Sequence, residues 1–102
     1  MVNLSILRSL VGNDEAVLAR FIGIFTNETP QQMTALRQFL EEKDWENASH
    51  TAHTIKSQCG YFGLEEACDL CQQIESEPAT AMERFDRLAV QLQSAMAQLR
   101  AL

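Results

Sequence analysis

Apolar residues in this chain recur at intervals of three and four, and nowhere do they alternate with polar ones as in a half-buried strand. Helices are therefore the only regular structure that the pattern predicts. The longest run is Met82, Phe85, Ala89, Leu92, Met96 and Leu99, the spacing of a seam between packed helices. Leu64, Ala67, Cys68, Cys71 and Ile74 make a second inward stripe, and Ala48, Ala52, Ile55, Cys59 and Phe62 a third. Further upstream, Met33, Leu36 and Leu40 read as one inner face, and Val17, Leu18, Phe21 and Phe25 as another. A short first helix would carry Leu4, Leu7, Leu10 and Val11.

Punctuation between these stripes sets the expected boundaries. Asn3 can cap the first helix and Gly12 close it, and Asn13 or Asp14 opens the next. Thr29-Pro30-Gln31-Gln32 combines a capping box with proline at a first helical position, so a helix start is expected there. The pattern leaves open whether the segments on either side are separate helices or one bent rod. Lys43 and Asp44 make a tight turn in which Asp44 caps the following helix, and Gly60 and Gly63 loosen that helix's end. Pro78 breaks the chain again, and Thr80 with Glu83 offers a second capping box. The connections are short, which makes consecutive helices antiparallel neighbours. The expected fold is all-α: an antiparallel up-down four-helix bundle from about Pro30 onward, with one or two short N-terminal helices covering one end. At 102 residues the chain is read as one domain, residues 1–102.

Against this background one segment stands out, Ala52-His53-Thr54-Ile55-Lys56-Ser57-Gln58-Cys59-Gly60-Tyr61-Phe62-Gly63. At about 100° per residue His53 projects roughly 140° from the inward stripe of its helix. Its neighbours one turn away are Ser49, His50, Lys56, Ser57 and Gly60, most of them small. An imidazole on so low a surface is open to a large partner, and the Lys56 ammonium can reach an anion held on the ring.

Composition excludes several other classes. The formal charge of -6 leaves no basic stripe with which to displace counterions from nucleic acid. No apolar run approaches the roughly 18 residues of a membrane span, and no signal-peptide pattern is read. Three cysteines without a framework spacing favour a reducing compartment, and the expected location is cytoplasmic. His50 and His53 with Cys68 and Cys71 could in principle form a zinc site. Helix phase argues against it, because both cysteines belong to the inward stripe and both histidines point outward. No metal site is expected.

The segment around His53 resembles the active stretch of histidine-containing phosphotransfer (HPt) domains, whose usual pattern reads Ala-His-x-(Leu/Ile)-Lys-Gly-x-(small)-(small)-x-x-Gly. Ala52, His53, Ile55, Lys56, Cys59, Gly60 and Gly63 match it, and Leu64, Cys71, Ile74 and Glu75 fit the family's next helix. Asp44-Trp45 and the helix order are similar too, so the likeness covers nearly the whole chain and extends to the C-terminal domains of hybrid sensor kinases. Ser57 departs from the pattern, standing where the family usually has glycine.

The resemblance implies that His53 accepts a phosphoryl group, through Nε2, from the aspartate of a response-regulator receiver domain and passes it to another receiver. Lys56 would steady the phosphoryl oxygens. Ser49, Ser57 and Gly60, flanked by Gln72 and Glu75 on the next helix, would form the partner-binding patch. Glu75 itself reads as an exposed acid whose charge would repel a phosphate. A free imidazole is mostly neutral at cytoplasmic pH, its ordinary pKa being near 6.5, so no general base is expected. Nor is a cofactor expected, since magnesium would sit on the receiver and no kinase or nucleotide motif is present. The expected partners are receiver domains and a hybrid sensor histidine kinase, with neither nucleic acid nor membrane, and the chain is expected to be a monomer. The alternative is a helical adaptor that binds signalling partners without chemistry.

Overall fold

A computed structural model describes residues 2–102, and their regular structure is entirely helical. Five helices follow in order: α1 (Ser5–Val11), α2 (Glu15–Glu41), α3 (Trp45–Tyr61), α4 (Glu65–Ser76) and α5 (Met82–Arg100), with a 3-10 turn at Pro78–Thr80 before α5. The molecule measures 43 × 20 × 19 Å. At 1.5 Å per residue, 27-residue α2 is about 40 Å long and spans almost the whole of the long axis.

The expected helix start at Thr29 does not occur. Of the two arrangements left open by the sequence, α2 takes the continuous one and carries Pro30 in its interior. Proline has no N–H to return to the Thr26 carbonyl, and local chemistry alone favours a break. Packing overrides it: Phe25, Leu36 and Leu40 are all buried along the same helix. Neighbouring polar groups bond locally as well, Gln31 Nε2 donating to the Asn27 carbonyl at 3.1 Å and Thr34 Oγ1 to the Pro30 carbonyl at 3.0 Å.

Elsewhere the punctuation holds. Asp14 accepts from the Val17 N–H, and Asp44 from the Asn47 N–H, so both aspartates cap their helices. Lys43 turns the chain into α3 with φ 61°. Asn3 Oδ1 accepts from the Ser5 N–H at the start of α1. Thr80, however, makes no capping bond; Ala81 occupies the cap of α5, and the Thr80 carbonyl instead accepts from Arg84. Gly60 does not loosen α3, which runs through it to Tyr61. Gly63 is required by its surroundings, since it adopts φ +66° and a Cβ there would stand 2.7 Å from the Asn3 Cβ. That close approach lets the Asn3 N–H donate to the Phe62 carbonyl at 2.9 Å, tying the N-terminal segment to the end of α3.

Each of α2 to α5 packs on the next, and α5 returns to touch α2. Leu36, Ile55, Ile74, Leu88 and Leu92 are fully or almost fully enclosed, and a side chain of that size contributes about 1.5–3 kcal/mol by leaving water. The α3–α4 contact is the most intimate in the molecule. Small residues allow it: Ala48, Ala52 and Cys59 on α3, and Ala67 and Cys71 on α4, are all buried. At one end Phe25 and Phe62 stack at 4.4 Å between ring centroids.

Several residues of the expected inner faces lie outside. Leu10, Phe21 and Met82 are exposed, while Leu70, Leu88 and Ala95 take core positions that the stripes had not included. Cys68 is only partly buried, with Leu70 filling the α4 core position instead.

Candidate functional site

The phase of α3 decides what its outer face offers. Ala48, Ala52, Ile55 and Cys59 turn inward, so His53 is carried outward and its side chain is 55% exposed. Ser57, one turn on, folds its hydroxyl back to the His53 carbonyl at 3.2 Å and adds little relief to the surface. At Gly60, a further turn along, an added Cβ would meet no atom within 4 Å. The face His53–Ser57–Gly60 is therefore low and open. Tyr61, beside it, is exposed instead of packed back on the helices.

Helix α4 supplies what the sequence reading undervalued. Glu75 is not a free solvated acid; its side chain is 27% exposed and its carboxylate bridges two residues of α3. Oε1 lies 3.0 Å from His53 Nδ1 and Oε2 lies 3.0 Å from Lys56 Nζ. The Ser49 hydroxyl donates to the Glu75 backbone carbonyl at 2.8 Å, so Ser49 anchors the carboxylate-bearing residue. Lys56 Nζ also donates to Gln72 Oε1 at 2.6 Å, and Gln72 Nε2 donates in turn to Ser76 Oγ at 3.2 Å. His53, Lys56, Gln72, Glu75 and Ser49 are thus one connected network across the α3–α4 seam. His50 lies outside it and is exposed.

Electrostatics give this network a direction. The hydrogen bond from Lys56 holds the Glu75 carboxyl below its usual range, its charge and the nearby imidazole adding to the effect and partial burial opposing it. Glu75 is consequently ionised at neutral pH, and an ionised carboxylate can only accept hydrogen bonds. The proton it meets must be on His53 Nδ1. In the neutral ring the lone pair then lies on Nε2, the nitrogen left without a protein partner. Such a site presents one oriented nucleophilic nitrogen beside one ammonium.

The cysteines lie beneath this surface. Cys59 and Cys71 are fully buried with their thiols in contact, and that contact together with burial pushes the Cys59 thiol up. Burial also raises Cys68, whose Sγ donates to the Lys56 carbonyl at 3.6 Å. Among the described residues, no three His, Cys, Asp or Glu side chains converge as metal ligands, and no helix is long and apolar enough to cross a membrane.

The described residues thus form an all-helical scaffold bearing an exposed imidazole with a carboxylate of the next helix at its Nδ1. The family model of the Hpt domain matches residues 20–102, and the chain belongs to that family. Its members serve phosphotransfer in phosphorelays, as phosphocarriers without a kinase activity of their own. Comparison with curated proteins and with solved structures gave no significant match.

Proposed function

We propose that the chain is a relay carrier in which His53 takes a phosphoryl group from a receiver-domain aspartate and later yields it to another receiver's aspartate. The observation that carries this reading is the Glu75 carboxylate, bonded at once to His53 Nδ1 and Lys56 Nζ, with the ring still open to a visiting protein. In the forward step the Nε2 lone pair forms the N–P bond as the P–O bond to the aspartate breaks, and the aspartate leaves as a carboxylate. No proton has to be removed from the nucleophile. The positive charge gained by the phosphorylated ring is balanced by Glu75 at Nδ1–H. Transfer of this kind depends on positioning and on neutralising charge at the equatorial oxygens, which is the part assigned to Lys56.

Ser57, Gly60, Gln72 and Glu75 border the docking surface in this reading, and Ser49 supports it from below. A depression of about 340 Å³ lined by Ile6, Gly60, Leu64 and Cys68, with Glu65 and Asp69 at its border, extends the same face. Helices α2 to α5 are taken as an antiparallel up-down four-helix bundle with α1 across one end, which the short connections and the return of α5 to α2 support. The partners are receiver domains and a hybrid sensor kinase, magnesium is carried by the receiver, and the carrier is a cytoplasmic monomer.

The test is incubation with receiver domains of the source organism, phosphorylated beforehand by acetyl phosphate and magnesium. The wild-type chain should gain an acid-labile, base-stable label, and His53→Gln should gain none while melting within about 2 °C of wild type. Binding of the phosphorylated receiver with no acid-labile, base-stable label acquired by this chain would instead favour a helical adaptor.

A further inference from the structure

Resting on the relay reading, we infer that a line of cations reaching from Lys56 over α4 to Arg84 and Arg87 on α5 receives carboxylates at the rim of the docked receiver, chiefly through the free donors of Arg84. The path is continuous. Gln72, which accepts from Lys56, borders a cleft of about 150 Å³ shared with Gln73 and Arg84. Arg84 and Gln73 then border a second cleft, of about 370 Å³, that ends at Arg87.

The cation nearest the network is held in place. Arg84 Nε donates to Gln73 Oε1 at 2.7 Å and Nη1 to the Thr80 carbonyl at 3.4 Å. Two of the five guanidinium donors are used, and three remain for a planar acceptor such as a carboxylate. Arg87 has only a loose partner, Glu66 at 3.9 Å, with side chains 59% and 61% exposed, and so exposed a pair has little hold on the arginine. Glu77 and Glu83 also border the clefts. With Glu75 on Lys56 and Glu66 on Arg87 they set four carboxylates against three cations, so the line acts through the directional fork of Arg84 and not through a net field.

Charge and size select the occupant. The chain carries -6 overall, and the active face of a receiver is acidic because it holds magnesium and the aspartate. Two such surfaces repel unless cations are placed locally. Lys56, Arg84 and Arg87 are three of only eight Lys and Arg residues. Neighbouring helix axes lie about 8–10 Å apart, which puts α5 no more than roughly 20 Å from α3. A standard interface of about 800 Å² per partner, centred on His53, has a radius of about 16 Å, so its edge falls near Arg84. Rim charges of this kind act on association rate and salt dependence more than on final affinity.

The experiment follows His53 labelling by the receiver that transfers fastest, in low and high salt, with phosphoramidate as a small donor that needs no docking. Arg84→Glu with Arg87→Glu should slow receiver-dependent labelling about tenfold in low salt. The gap should close to within about twofold near 1 M salt, where the screening length is about 3 Å, and phosphoramidate labelling should not change. Arg87→Glu alone, which removes no bond to the Pro78–Thr80 turn, should give a smaller slowing in the same sense. Arg37→Glu, on the α2–α5 side, changes net charge by the same two units as Arg87→Glu alone and should have no effect. Wild-type rates for both α5 variants in low salt, or equal slowing by Arg37→Glu, would refute the role of this line while leaving the relay intact. A wild-type chain that phosphoramidate labels but no receiver does would sink both.

Discussion

In the proposed relay Glu75 and Lys56 set the conditions under which His53 works, and each can be probed alone. Because Lys56 holds the folded-state pKa of Glu75 below its ordinary value, the pair stabilises the fold above about pH 4.3, the unfolded value, and the contribution is lost as pH falls through the lowered folded value. Urea unfolding between pH 3 and 7 should therefore find wild type ahead of Glu75→Gln by a constant margin down to about pH 5 and by a shrinking one below. A margin that widens in acid would contradict the assignment. For Lys56→Ala, the expectation is phosphotransfer slowed about tenfold or more with receiver affinity within about twofold, measured by rapid quench and by calorimetry. Equal transfer rates would remove the ammonium from the reaction. The exposure of His53 could be read in the sequence because helix phase alone fixes it. The role of Glu75 could not, since its partners His53 and Lys56 lie 22 and 19 residues away on another helix, beyond any spacing rule within one helix. The residue type did carry a signal in its match to the family's second helix, but expected repulsion of phosphate set it aside.

At the scale of elements, most boundaries were legible because capping is local: Asp14, Asp44 and Asn3 act on groups two or three residues away. Thr29-Pro30 and Thr80 misled for the same reason. Both motifs satisfy a local rule, yet burial of Phe25, Leu36 and Leu40 in α2 outweighs the missing hydrogen bond and the Thr29 hydroxyl buried without a partner, and the Pro78–Thr80 turn moves the cap of α5 to Ala81. Pro30 is therefore a tolerated defect inside a long helix. Its exposed position gives the ring little to lose, so Pro30→Ala should add about 1–3 kcal/mol of stability and raise the melting midpoint by about 4 °C or more. An unchanged or lower midpoint would mean that the ring packs against Met33 and Phe85 in the α2–α5 groove it borders.

For the molecule as a whole, helical periodicity indicated the all-helical class but not every core position. Phe21 and Leu10 have the right spacing and still face outward, because a stripe wider than its neighbour can cover leaves its edge uncovered. The whole fold leaves a low, open face along His53, Ser57 and Gly60, the docking surface proposed above. Ser57→Arg should raise that face and abolish receiver binding with an unaltered circular dichroism spectrum, and retained affinity would relocate the docking surface. The α3–α4 seam has a consequence of its own. Alanine and cysteine line much of the close approach of these two helices, beside Ile55, Leu70 and Ile74, leaving little slack there. The imidazole and its carboxylate stand on opposite banks of that narrow join, so the gap between them inherits its tolerance from the methyl groups below. A single extra methyl there would act as a wedge, prying the two banks apart at the very place where the ring is aimed.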